Sequence, residues 1–138
     1  MHLLKYPDKI IIALAESIHG NEKISRWLLE NGFPELAAFA SAIKGSDEAS
    51  QWLLKNHFPE LAALDAAISN SNKAYQWLQK NDLTFYILIA DACQGKPAAL
   101  FHLKKDPKME PFLYLSSKTK EFFDSKTYDY HRKPSGFF

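Results

Sequence analysis

The chain repeats itself with a period of 25 residues. Its tryptophans, Trp27, Trp52 and Trp77, are separated by this interval, and the next step reaches His102. The units defined by this period are 11–35, 36–60, 61–85 and 86–110. The first and second units share 12 of 25 residues, as do the second and third, whereas the third and fourth share 4. A fixed period of this length is typical of proteins in which one supersecondary unit stacks on the next.

Each unit predicts two short helices. In the second unit, apolar residues recur at i, i+3, i+4 and i+7 from Leu36 to Ile43, which predicts a helix over 34–44. A second helix is predicted over 47–55. Isolated helices of about 10 residues are marginal in water, so each must be held by packing on its neighbours.

The residues between the helices match the requirements of helix ends. Glycine and asparagine enter the left-handed conformation that follows a helix at little cost. They stand at Gly20, Gly45, Asn70 and Gly95. Serine and asparagine side chains accept hydrogen bonds from the first free amides of the next helix. They stand at Asn21, Ser46 and Ser71, with Lys96 in the fourth unit.

These patterns predict an all-α protein, an α-solenoid of about four to four and a half tandem repeats. We expect a single helical-repeat domain over 1–124, with a partial fifth unit over 111–124. From Pro107 the repeat fades, and 125–138 forms an aromatic C-terminal tail. Since terminal repeats need covering, we expect the C-terminal helix and tail to cap the stack, rather than to lie in its groove or on a second chain.

The segment Phe33 to His57 is similar to the helical part of an ankyrin repeat. It has proline at the start of the first helix, small residues along it, glycine at the turn, and a second helix ending in Leu-Leu-Lys-Asn. The resemblance extends over about 9–106, and the units lack the β-hairpin finger that lengthens ankyrin repeats to 33 residues. It implies a protein-binding scaffold.

Composition excludes several classes of function. The net charge of +1 provides no overall field for nucleic acid or acidic lipid. The single cysteine, Cys93, excludes an internal disulfide and fits a reducing compartment. We find no export signal or membrane-spanning run and expect a cytoplasmic protein. The five histidines form no metal-binding spacing, so we expect no metal and no cofactor.

Two features of the repeat have an ordinary structural interpretation. We interpret the tryptophans as large core residues of the second helices, rather than as an aromatic ladder that lines a groove. His102, in place of a fourth tryptophan, is expected to be partly exposed near the end of the array. Cys93 replaces an isoleucine and is expected to be a small buried apolar residue rather than a nucleophile.

Candidate partner-binding residues lie in variable positions of the first helices and in the tail. In a curved stack a variable position can line the concave face, although an ordinary solvated face explains it equally well. The candidates in the helices are Glu16, Ser41, Asp65 and Asp91. Disordered tails are usually poor in aromatic residues, so the aromatic tail should dock through Phe137 and Phe138. Tail docking would leave the protein a monomer or a tail-mediated dimer.

The function that these features favour is a non-enzymatic protein–protein interaction scaffold with an unidentified protein partner. One alternative is a helical-repeat nucleic-acid binder that uses basic residues near the C-terminus. These are Lys118, Lys120, Lys126, Arg132 and Lys133. Acidic residues dilute that set, so no nucleic acid is expected. Another alternative is a small enzyme with a groove site formed by Glu16, His19 or Asp91, but their spacing matches no catalytic motif.

Overall fold

A computed structural model describes residues 2–125, and this part of the chain is an array of helix pairs. Short 3₁₀ turns span Leu3–Lys5 and Pro107–Met109. The α-helices are α1 (Asp8–Ile18), α2 (Glu22–Glu30), α3 (Pro34–Ile43), α4 (Asp47–Lys55), α5 (Pro59–Ile68), α6 (Asn72–Lys80), α7 (Thr84–Cys93), α8 (Pro97–Lys104) and α9 (Glu110–Asp124). The predicted all-α repeat architecture is confirmed. We refer to α1, α3, α5, α7 and α9 as A helices and to α2, α4, α6 and α8 as B helices.

The predicted caps define the helix ends. Asn21, Ser46 and Ser71 each accept a hydrogen bond from the backbone amide three residues later, which begins α2, α4 and α6. Left-handed residues precede these caps, with φ of 115° at Gly20 and 70° at Asn70. Helices α2, α4 and α6 end on asparagines whose side-chain amides donate to a carbonyl oxygen four residues earlier, at 2.8–2.9 Å. Local sequence therefore specifies each helix pair.

The A helices run in the same direction and pack side by side. The Lys44 ammonium after α3 donates to the carbonyl of Ser17 near the end of α1, at 3.0 Å. The Gln94 amide after α7 donates in the same way to the carbonyl of Ala67 on α5, at 2.9 Å. These bonds satisfy carbonyl groups that the end of a helix would otherwise leave free. Helices α1 and α3, and likewise α5 and α7, are thus joined at their C-terminal ends.

The row of A helices closes on itself. Each of α3, α5 and α7 packs on the A helix before it and the A helix after it, and α9 packs on both α7 and α1. The contact between α1 and α9 is the most extensive between any two described helices. The Tyr114 hydroxyl of α9 donates to the Glu16 carboxylate of α1, and the His19 Nε2 atom lies 3.7 Å from the Glu121 Oε2 atom. The solenoid is therefore a ring of five A helices.

Helix α9 differs from the other A helices at the position where they face a B helix. Ser17 on α1 lies 2.5 Å from Ser25 on α2, so this position of an A helix faces the B helix of the same unit. Helix α9 begins 26 residues after α7, one more than the repeat period of 25. With this offset, Lys118 stands at the corresponding position of α9. Its ammonium lies 5.4 Å from the centre of the Tyr114 ring and 3.1 Å from the Glu121 carboxylate. The corresponding residues on α3, α5 and α7 are Ala42, Ala67 and Ala92.

Three levels of buried side chains fill the ring. Each A helix contributes one residue to each level, and each of these residues is at most 5% exposed. The level nearest the N-terminal ends of the helices contains Ile11, Leu36, Leu61, Tyr86 and Phe112. The middle level contains Leu14, Phe39, Leu64, Ile89 and Leu115. The third contains Ile18, Ile43, Ile68, Cys93 and Thr119. The inner face of the ring is thus a packed core.

The segment before α1 covers the N-terminal end of the ring. The Leu3 amide donates to the Tyr86 hydroxyl of α7 at 3.1 Å, and the Tyr6 hydroxyl donates to the Glu35 carboxylate of α3 at 2.6 Å. Because α3 and α7 are separated by α5, the segment crosses the end of the ring. Leu3 is fully buried as a result.

None of the helices within 2–125 has the length and apolar character that crossing a membrane requires.

Replacing Phe39 with alanine tests the packed centre. Phe39 is 1% exposed and belongs to the middle level of the core, so Phe39→Ala should lower the free energy of unfolding by about 3–5 kcal/mol. The matched control is Phe101→Ala on α8, where the side chain is 62% exposed and little stability should be lost. Urea unfolding followed by circular dichroism measures both. Equal losses in the two variants would contradict the packed centre.

Candidate interaction surface

One outward position of the B helices carries a polar residue in three units and an aromatic residue in the fourth. Arg26, Gln51 and Gln76 occupy one exposed position of α2, α4 and α6. The corresponding residue of α8 is Phe101, which is 62% exposed. The fourth unit therefore presents an apolar ring where the other units present a solvated side chain.

Basic residues follow Phe101 at the end of α8 and in the turn after it. The Lys105 ammonium lies 4.6 Å from the centre of the Phe101 ring, a cation–π arrangement. His102, Lys104 and Lys108 are also exposed. We call the surface formed by Phe101, His102, Lys104, Lys105 and Lys108 the α8 face. The exposure of His102 confirms the prediction from the sequence.

The α8 face rests on a firmly anchored helix. Ala99 and Leu103 point into the core from α8 and are 6% and 1% exposed. Pro97 begins the helix, and its missing amide costs nothing at this position. The Asp106 carboxylate accepts a hydrogen bond from the Lys108 amide at 3.0 Å, which holds the turn after α8. The exposed side chains are thus carried on a rigid support.

The interpretation of the tryptophans as core residues is wrong for Trp27 and only partly right for the other two. Trp27 is 45% exposed, and Trp52 and Trp77 are half-buried. The adjacent leucines point into the core, so the tryptophans lie on the flank of each helix. Trp27 stacks on Phe33 with ring centres 6.3 Å apart, and Trp52 stacks on Phe58 at 6.1 Å. The adjacent leucines that point into the core are Leu28, Leu53 and Leu78.

The predicted partner-binding residues of the A helices lie in different environments. Glu16 accepts the Tyr114 hydrogen bond at the contact between α1 and α9. Asp65 is 3% exposed and lies 3.3 Å from the Ser50 hydroxyl, which donates to it. Ser41 is half-buried. The apolar core levels, rather than these side chains, occupy the inner face of the ring.

Asp91 is held by two partners. Its Oδ1 atom accepts from the Tyr75 hydroxyl of α6 at 2.8 Å and from the Lys96 ammonium at 3.0 Å. Burial and the Asp91 carboxylate raise the pKa of Tyr75, so this hydroxyl stays protonated as a donor. Asp91 is not brought together with Glu16 and His19, which lie beside α9. Phe137 and Phe138 lie outside the described residues, and their role stays a prediction.

Cys93 is a buried thiol, as the sequence predicted. It is 2% exposed, in the third level of the core. Burial raises its pKa to about 12, although Thr119 and Ser116 of α9 contact the sulfur and oppose the shift. A thiol that stays protonated at neutral pH is a poor nucleophile. Within 2–125, no group of three or more histidine, cysteine or carboxylate side chains is placed to hold a metal ion.

Comparison with known proteins found no match. No family model, no curated protein and no solved structure is significantly similar to this chain.

The raised pKa of Cys93 predicts a loss of stability in alkali. The thiol of the unfolded chain ionises near 9.0, whereas the folded protein keeps it protonated to about 12. Above pH 9.0 the unfolded state therefore binds fewer protons than the folded state, and the free energy of unfolding falls as pH rises toward 12. Burial also raises the pKa of Tyr86 to about 12 from 10.0, which adds to the fall.

Urea unfolding midpoints at about pH 8 and about pH 10.5 measure this fall. The Cys93→Ala variant supplies the control, because it lacks the thiol but keeps Tyr86. Its midpoint should fall less between the two pH values than that of the unmodified protein. The same fall in both proteins would show that Cys93 ionises alike in the folded and unfolded states.

Proposed function

We propose that this chain is a non-enzymatic protein–protein interaction module that binds its partner through the α8 face. The observation that carries the proposal is the exposure of Phe101, at 62%, where three other repeats place a polar side chain. Aromatic side chains, phenylalanine among them, are enriched at the centres of protein interfaces relative to the rest of the protein surface.

The structural role of α8 does not explain Phe101. Ala99 and Leu103 anchor this helix, so a polar residue at 101 would serve folding as well as glutamine does at 76. Exposed apolar side chains are common singly, but this one is the most exposed large apolar side chain among the described residues. Its neighbours on the α8 face add a polar and charged rim, as protein interfaces commonly have.

The repeat architecture supports the same proposal. The resemblance of the helix pairs to ankyrin repeats favours a binding scaffold, and helical repeats with a self-contained core present side chains on a rigid frame. The repeat architecture supports a binding function by analogy with other helical repeats, and the α8 face supplies the specific binding surface. We also propose a cytoplasmic location, because the one cysteine is a buried free thiol.

Substitution at matched positions of two repeats tests the proposal. Phe101→Ser should abolish recovery of the partner from a native extract, because it removes the apolar centre of the α8 face. Gln76→Ser, at the same position of the third unit, should leave recovery unchanged. Tagged proteins immobilised at equal amounts, with bound proteins quantified by mass spectrometry, give the comparison.

The expected result is a discrete protein retained by the unmodified chain and by Gln76→Ser, and reduced at least tenfold by Phe101→Ser. Matching circular dichroism spectra and melting temperatures confirm that both variants fold. Full retention of the same partner by Phe101→Ser would reject the α8 face as the binding surface.

A further inference from the structure

The lysines of the α8 face form no ion pair in the described part of the chain. Within 2–125, no carboxylate lies within ion-pairing distance of Lys104, Lys105 or Lys108. Other exposed lysines of the B helices are unpaired as well, so the α8 face is set apart by having three of them within five residues. Asp106, the nearest acidic residue in sequence, uses its carboxylate to accept from a backbone amide. Three exposed cations thus follow Phe101 in the sequence without a carboxylate partner in the described residues.

Cations at the end of a helix also have a structural explanation. They offset the negative charge at the C-terminal end of the helix dipole. In α4 and α6 a single basic residue does this. Lys55 and Lys80 are the single basic residues in the last turns of α4 and α6. Helix α8 has His102 and Lys104 in its last turn, and Lys105 and Lys108 follow. The helix end therefore carries more positive charge than its own stability requires.

We propose that the α8 face binds an acidic peptide segment that carries an apolar side chain. This inference rests on the proposed function and gives the chemistry of the partner. The carboxylates of the segment would pair with Lys104, Lys105 and Lys108, and its apolar side chain would pack against the exposed part of Phe101. Charge complementarity of this kind speeds association and selects among partners.

A peptide fits the α8 face better than a nucleic acid does. Nucleic-acid affinity comes from many phosphate contacts, but this surface has three lysines and no arginine, with Asp106 and Glu110 close in sequence. The α8 face therefore offers few of the phosphate contacts on which nucleic-acid affinity depends.

Peptide titration tests the inference on the full chain. The probe is a synthetic peptide of alternating glutamate and glycine with one central phenylalanine. Its control has glutamine in place of every glutamate. Amide chemical-shift changes in the labelled protein should cluster on α8 and Pro107–Met109, and should weaken as salt is added. The glutamine peptide should bind about tenfold more weakly.

Matched variants separate the local effect of the lysines from net charge. Lys104→Gln/Lys105→Gln/Lys108→Gln should weaken binding of the acidic peptide about tenfold. Lys23→Gln/Lys55→Gln/Lys80→Gln, which changes three exposed lysines of other B helices, should leave it unchanged. Both variants have the same net charge.

Equal binding of the two peptides, absence of shifts on α8, or tighter binding of an oligothymidylate would overturn the inference. The proposed function is judged separately. If Phe101→Ser loses the native partner while the Lys104→Gln/Lys105→Gln/Lys108→Gln variant retains it, the α8 face binds a protein but not through acidic residues.

Discussion

The contact between α9 and α1 is the interaction on which the rest of the structure depends. A helical repeat buries its apolar stripe only against its neighbours, so an open row leaves an unsatisfied face at each end. Here α1 and α9, the helices at the two ends of the row, pack against each other. With the ring closed, every A helix is covered on both sides, and the core levels are complete around the ring.

Closure requires that α9 differ from the other A helices. A B helix packs beside each of α1, α3, α5 and α7, where alanine or serine makes room for it. On α9 this room is taken by Tyr114 and Lys118, and the Tyr114 hydroxyl reaches Glu16 directly. The change from small to long polar side chains lets α9 contact α1 through Tyr114.

A closed ring also determines where binding can occur. Its inner face is packed with apolar side chains, and the segment before α1 covers one end. The surfaces left free include the outer sides of the B helices, whose side chains contribute little to the core. The fourth unit presents Phe101 and the lysines that follow it on this side, while Ala99 and Leu103 keep the repeat pattern inside.

Much of the fold could be predicted from the sequence because local rules determine it. Asn21, Ser46 and Ser71 cap the helices as expected, and α4 spans the predicted residues 47–55. The closure of the ring could not be predicted from the sequence. The 25-residue period specifies that each unit contacts the next one, but it does not specify how much the row of helices curves over several units. The flanking position of Trp27 was missed for a related reason: the inward direction was already taken by the adjacent leucine.

The α8 face had a signal in the sequence, since one position reads Arg26, Gln51, Gln76 and then Phe101. Interpreting it required knowing that this position faces outward, and the apolar content of α8 alone does not separate an exposed phenylalanine from a buried one. The residues that the units share build the core and the helix ends, whereas the candidate site lies where the fourth unit departs from them.

Nuclear Overhauser contacts between the Tyr114 ring and the Glu16 side chain test the closed ring most directly. In the ring these groups touch, and the contact should be strong and intramolecular in a sample that mixes labelled and unlabelled protein. In an open row, α1 and α9 would be four helix spacings apart, or about 30–40 Å. Absence of the contact while α9 remains helical would contradict the ring and the account built on it.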